Sequence, residues 1–376
     1  MILDRYDEEL FCKPFWEGDT VFHDGVLFYK GRTRARMLYP IDEIISVRSF
    51  DLQTEYKEGK DFVVIDGEMV LTDDTSIPVW DVEPFTKEPQ RHIFPVRGSD
   101  LFLTETCGIK IREKTVYVTY KHSATFEDGY SGAGVESLRE KLPWVFERLE
   151  GGGTLNILLY GDSTYTSWGC SGGYSEDRFF DASDTGAFYT VGVNVPPYTP
   201  PWFDMFESVL KKMYPKAIIN IDNISMGGKS ADWAVEHLNA RMKLSKNRPD
   251  VVLFGFGVND LCGGIPTEEY KANNLKLIEL LRSDENGNAD AACIMVSPHT
   301  CNNFAECYPA EGFADYEKAL LQIADEVDNT AVIKLHSLSY DMSKCKLPLD
   351  RLENNINHCT DIGGRMFAHA VIESFR

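Results

Sequence analysis

Residues 155–163 read LNILLYGDS: a short, nearly continuous apolar run that stops at glycine, aspartate and serine. An apolar stretch of this length without polar alternation suits a strand covered on both faces, as in a parallel sheet. Four further runs have the same character: AIINIDNIS (217–225), VVLFGFG (251–257), AACIMVSP (291–298) and AVIKLHSL (331–338). Segments with helical patterning separate or follow them: PWFDMFESVLKKMY, SADWAVEHLNARMKL, TEEYKANNLKLIELLRS, FADYEKALLQIADEV and, closing the chain, TDIGGRMFAHAVIESF. Alternation of this kind predicts an α/β fold: a three-layer αβα sandwich on a five-stranded parallel sheet. Ligands in such sheets sit beyond the carboxyl ends of the strands, so those ends are where chemistry is expected.

Upstream of this region the period changes. DTVFHDGVLFYKG (19–31) and DFVVIDGEMVLTDD (61–74) each place Asp-Gly between apolar runs, which reads as a hairpin turn because both turn positions need positive φ. LFLTETCGIKIR and TVYVTYKH add short strands, and SLREKLPWVFERLEGGG (137–153) reads as a helix stopped by glycines. The expected organisation is an all-β sandwich over 1–130, a linker helix over 131–153 and an α/β domain over 154–376.

Bulk properties narrow the function. The 376 residues carry a formal net charge of −21, so nucleic acid would be repelled and a neutral or cationic substrate is expected. No apolar run is long enough to span a bilayer, and the acidic start MILDRYDEELF lacks a leader's apolar core, so the expectation is a cytoplasmic protein. Nine irregularly spaced cysteines read as reduced thiols. His299, Cys301 and Cys307 lack the paired spacing of a zinc site, and no metal or cofactor is expected.

Three strand ends and one loop carry candidate chemistry. A serine at a tight strand-to-helix turn, Ser163, presents a hydroxyl at the sheet edge, although Asp162-Ser163 also suits a simple cap. The second run leads into NISMGGKSADW (223–233), whose MGGKS looks like the end of a phosphate loop. The first glycine of G-x-x-x-x-G-K-[ST] is replaced here by Asn223, although the strand VVLFGFGVND does end in an acid, Asp260, that could hold magnesium. The third run ends FGFGVND, where the Asn259 amide is a possible oxyanion donor or a turn residue. His358, in NNINHCTDIGG, precedes the last helix.

Taken in order, these four stretches resemble the SGNH, or GDSL-like, hydrolase superfamily, with Ser163, Gly228, Asn259 and His358 at the four named positions. The resemblance implies a flavodoxin-like αβα sandwich and an esterase. Ser163 would be the nucleophile and His358 the base, with backbone N–H groups and Asn259 holding the oxyanion. On this reading Gly228 binds an oxyanion, not a phosphate, and Lys229 and Ser230 only begin a helix. The N-terminal β-region also resembles, in domain order, the second family of carbohydrate esterases, which join a jelly-roll domain to such a module. That implies deacetylation of O-acetylated sugars or oligosaccharides.

One position departs from the superfamily pattern. An aspartate normally lies three residues before the histidine; Asn355 stands there, so either its amide or a backbone carbonyl would orient the ring. Trp168 and Trp233 could wall the acyl or sugar site, or simply pack in the core. Two other functions fit the same sequence: a broader acyl hydrolase of lipase or thioesterase type, and a non-catalytic carbohydrate-binding protein.

Overall fold

The computed structural model describes all residues except 1–5, 90–91, 107–108, 125–129, 133, 167–168, 173–194 and 287. Trp168 therefore lies outside the described residues. The N-terminal part supplies β1 (Thr20–Leu27), β2 (Arg34–Ala35), β3 (Glu43–Ser49), β4 (Glu55–Tyr56), β5 (Phe62–Ile65), β6 (Glu68–Leu71), β7 (Phe85–Thr86), β8 (Phe102–Leu103) and β9 (Thr115–Lys121). They form antiparallel sheets: a four-stranded one ordered β1-β9-β3-β4, a three-stranded one ordered β2-β6-β5, and the pair β7-β8.

The same dipeptide does two different things in this half. Asp66 and Gly67 turn β5 into β6 with φ of 54° and 74°, as a hairpin requires. Asp24 and Gly25 make no hairpin: β1 bulges at His23, with φ of 49°, and continues through them to Leu27. Asp24 is fully buried, and its carboxylate accepts from Leu38 N, Tyr120 Oη and Lys346 Nζ at 2.9, 3.2 and 2.6 Å. A carboxylate so placed is held by tertiary partners, which override the local turn preference.

The α/β half contains β10 (Thr154–Gly161), β11 (Ile218–Asn223), β12 (Val251–Gly255), β13 (Ala292–Val296) and β14 (Thr330–Ile333). All five are parallel, in the order β11-β10-β12-β13-β14. This is the flavodoxin-like order, whose switch point lies beside the first strand. Along β10, Leu155, Ile157 and Leu159 enter one core while Leu158 and Tyr160 enter the other, so both faces of the sheet are covered.

The linker behaves differently from its reading as one long helix. Its helix spans only Pro143–Glu150, with turns before it, because Pro143 lacks the N–H that would continue a helix from upstream and suits the first turn instead. A helix at Leu335–Cys345 takes the second half of the AVIKLHSL run, leaving β14 at four residues.

The two halves share one interior. A single cluster joins Val26, Val118 and Tyr120 of the β-region to Leu142, Val145, Leu155, Val371 and Phe375. Buried polar ties reinforce it. Lys346 Nζ meets Asp24 at 2.6 Å with both side chains fully buried, and Arg32 grips Asp350 through two bonds of 2.7 and 2.8 Å. His369 Nε2 lies 2.7 Å from Phe11 O. Among the described residues, no helix is long and apolar enough to cross a membrane.

Candidate active site

The carboxyl edge of the sheet gathers the candidate residues through backbone-level ties. Gly161, at the end of β10, donates to Ser225 Oγ at 2.9 Å, and its carbonyl accepts from Met226 N at 2.9 Å. Asp162 N reaches Gly255 O of β12 at 3.3 Å. The three loops beyond β10, β11 and β12 are thus fastened to one another.

Ser163 begins a single 3₁₀ turn (Ser163–Tyr165), which Asp162 caps by accepting from Thr164 N at 2.9 Å. The cap and the serine at the sheet edge are therefore both present, not alternatives. Ser163 Oγ stands 3.1 Å from His358 Nε2 across a sequence separation of 195 residues. Burial, with His299 adding to it, presses the His358 imidazole down to about 3, so the ring is neutral at pH 7.

Gly228 has φ of 71°, and a Cβ placed there would meet nothing within 4 Å. Backbone conformation, not crowding, is what asks for glycine at this position. Asn259, in the short helix Val258–Cys262, donates one amide N–H to Lys229 O at 3.0 Å. That bond ties Asn259 to the Gly228 loop and leaves the amide a second N–H. Lys229 lies over the Trp233 ring at 5.1 Å, and the helix Ala231–Met242 starts immediately after. Asp260 is fully buried and accepts from Ala231 N at 2.9 Å. Burial raises its carboxyl to about 7. A buried, partly protonated acid cannot serve a magnesium–nucleotide, and Asn223, in place of the loop's first glycine, is spent on Tyr165 O at 2.8 Å. The phosphate-loop alternative fails on both counts.

Asn355 is not beside the ring. Its φ of 61° turns its side chain away, where Nδ2 donates to Pro84 O and Thr104 O, each at 3.0 Å. The neighbour, Asn354, takes the place beside the imidazole: its Nδ2 is 3.2 Å from His358 Nδ1. The amide orientation is fixed because Asn354 Oδ1 already accepts from the backbone N–H groups of Ile356, Asn357 and His358 at 3.0, 2.9 and 3.0 Å. Asparagine's habit of bonding backbone N–H groups ahead of it was the sequence signal for this, in the run ENNINH. Asp350 and Asp361 are engaged elsewhere, with Arg32 and with Ser171 N at 2.7 Å.

The histidine loop is also held from the β-region. Arg112, buried, donates to Gly169 O in the loop after Ser163 and lies 3.6 Å from both Glu353 and Asp361. Tyr117 Oη donates to Asp361 at 3.0 Å. Beside His358 is a small cavity of about 30 Å³ whose lining includes Thr164, Pro201, Trp202, Cys359 and Phe367. Trp202 was not singled out in the sequence, although the helix start there was (Trp202–Met213). Trp233 does not reach this cavity; it stacks on His237 at 4.4 Å. Among the described residues no cluster of three or more potential metal ligands occurs.

The flavodoxin-like sheet thus places a serine–histidine pair at its switch point. Residues 186–361 match the sequence profile of the GDSL-like lipase/acylhydrolase family. The matched span contains Gly228, Asn259 and His358 and begins after Ser163. Among solved structures, a two-domain esterase active on acetylated mannans is similar at 18% identity and a TM-score of 0.44, over 63% of this chain and 52% of that one. This chain thus spans about half the length of that protein. A catalytic mutant of an acetylxylan esterase from Geobacillus stearothermophilus is similar at 15% identity and a TM-score of 0.44, over 59% of this chain and 94% of that one. A member of the lipolytic G-D-S-L family from Veillonella parvula gives 15% identity and a TM-score of 0.42, over 59% and 98%. No curated protein matches the sequence significantly.

Proposed function

We propose that this protein is a serine esterase of short acyl chains, acting on acetyl esters of uncharged sugars or oligosaccharides. The observation that carries the reading is the 3.1 Å approach of Ser163 Oγ to His358 Nε2 at the carboxyl edge of β10. That distance is within reach for proton transfer from a nucleophile to its base.

In this mechanism the neutral His358 takes the Ser163 proton as the hydroxyl attacks the ester carbonyl. The Ser163 and Gly228 N–H groups and the second N–H of Asn259 hold the oxyanion. His358 then protonates the departing sugar oxygen, and water releases acetate by the reverse route. The recess beside His358, small and walled by Pro201, Trp202 and Phe367, supports a short acyl group. The net charge of −21 favours an uncharged alcohol over an anionic one.

The test is hydrolysis of p-nitrophenyl acetate, butyrate and octanoate by wild type and Ser163→Ala. The acetate ester should turn over fastest, and the variant should lose at least about 10³-fold in kcat. Turnover that survives in the variant would remove Ser163 as nucleophile. Preference for octanoate would transfer the reading to a lipase-like acyl hydrolase.

A further inference from the structure

Away from the serine–histidine pair, two cysteines face each other. Cys262 Sγ and Cys307 Sγ are 3.3 Å apart although 45 residues separate them in sequence. Cys262 is exposed and Cys307 half-buried, whereas most other described cysteines are buried. We infer that Cys262 and Cys307 form a dithiol site that low-molecular-weight disulfides oxidise, and that the resulting bond lowers hydrolytic turnover.

The chemistry requires an accessible attacking thiolate and a second thiol within reach of it. Cys262 is the attacker. The hydrogen bond it shares with Cys307 holds its thiol below the ordinary value, with Tyr308 adding to the effect. It displaces one thiolate from the incoming disulfide and becomes a mixed disulfide. Cys307, after losing its proton to solvent, attacks the Cys262 sulfur and expels the second thiolate. Two protein thiols and one small disulfide thus give one protein disulfide and two small thiols, with two electrons passed to the oxidant.

The two sulfurs belong to elements that serve the active site. Cys262 closes the helix Val258–Cys262, one turn beyond Asn259. Cys307 adjoins Tyr308, whose hydroxyl accepts from Asn357 at 3.3 Å, next to His358 in sequence. The same 297–309 segment touches the histidine loop again, where His299 Nε2 lies 2.6 Å from Asn357 O. Bond formation shortens 3.3 Å to about 2.05 Å. The bond couples the Asn259 helix to the support of the His358 loop, where a shift of about an ångström is enough to misplace an oxyanion donor.

This effect on turnover rests on the esterase reading; the bond itself does not. The pre-reduced protein is incubated with glutathione disulfide, mapped by non-reducing peptide mass spectrometry, and assayed on p-nitrophenyl acetate before and after dithiothreitol. The expected result is a Cys262–Cys307 linked peptide and a loss of about 10-fold or more in kcat, both reversed by the reductant. Cys307→Ser should keep its kcat under the same treatment and carry only glutathione on Cys262. Wild type that yields no linked peptide, or only a glutathione adduct, overturns the site. A linked peptide with unchanged kcat overturns the control of turnover. A reduced protein that hydrolyses no ester defeats the esterase reading instead, and the peptide map still decides the dithiol.

Discussion

Asn354→Asp is expected to make the enzyme faster. In the native arrangement Asn354 presents an NH₂ group to His358 Nδ1 at 3.2 Å. A donor opposite Nδ1 favours the tautomer with its proton on Nε2, which donates to Ser163 when it should accept. Base action then requires the minor tautomer. Aspartate keeps the three backbone acceptances of Oδ1 and places a carboxylate oxygen where the NH₂ was, so Nδ1 carries the proton and Nε2 is free to accept. The reverse exchange in a serine protease costs about 10⁴ in kcat, through the same wrong tautomer. A gain of about 10- to 100-fold is expected here, since the resting loop already holds the ring near Ser163. The carboxylate also favours the imidazolium. It should lift His358 from about 3 by about one to three pH units, moving the acid limb of kcat/KM upward. The assay is a pH–rate profile on p-nitrophenyl acetate for both proteins. Unchanged kcat with an unmoved acid limb would mean that Asn354 does not govern the ring proton.

The remaining predictions concern pH and buried charge. Because His358 acts when neutral and is depressed to about 3, wild-type kcat/KM should show no inflection near pH 6.5 on lowering pH from 8 to 5; a break at that pH would contradict the buried, neutral base. Lys346→Met should cost about 3–5 kcal/mol in denaturant unfolding, because Asp24 is left charged and fully buried, and a loss below about 1 kcal/mol would count against that ion pair. For Asp260, the folded value of about 7 lies above the unfolded 3.8, so the unfolded state ionises first and stability falls as pH rises between the two. Asp260→Asn should therefore gain on wild type by a few kcal/mol between pH 4 and pH 8, and parallel stability curves would rule out a buried protonated carboxyl. Arg112→Met should lower kcat with little change in KM, since the side chain touches Gly169 and the flanks of the His358 loop and not the substrate; a rise in KM alone would argue otherwise.

The parallel sheet was legible because its strands are apolar on both sides, a pattern that few alternatives share. LNILLYG, VVLFGFG and AACIMVSP each proved to be a strand flanked by two cores. The antiparallel half was less so. Asp24-Gly25 and Asp66-Gly67 look alike locally, and only partners such as Lys346, 322 residues away, make the first a buried anchor. Pro143 was a visible stop signal that outweighed the apolar period around it. At the site, the chain order of Ser163 and His358 anticipated their meeting, but the ring's neighbour was misjudged by one residue. Counting back from a histidine assumes a standard loop, and the left-handed φ of Asn355 rotates that count. The small cavity needed Trp202 and Phe367 from different helices, which no single stretch announces.

The core shared by the two halves sets a timetable for the chain as it is made. Asp24 belongs to a strand synthesised early, yet the ammonium that neutralises it arrives 322 residues later, and Phe11 waits 358 residues for His369. At about 5–20 residues per second, those partners emerge tens of seconds apart. Through that interval the β-region holds a carboxylate without the ammonium that neutralises it. The Ser163–His358 pair therefore forms only after the chain beyond Lys346 has emerged. A ribosome stalled before Lys346 would display a nascent protein with Ser163 already made and His358 not yet translated.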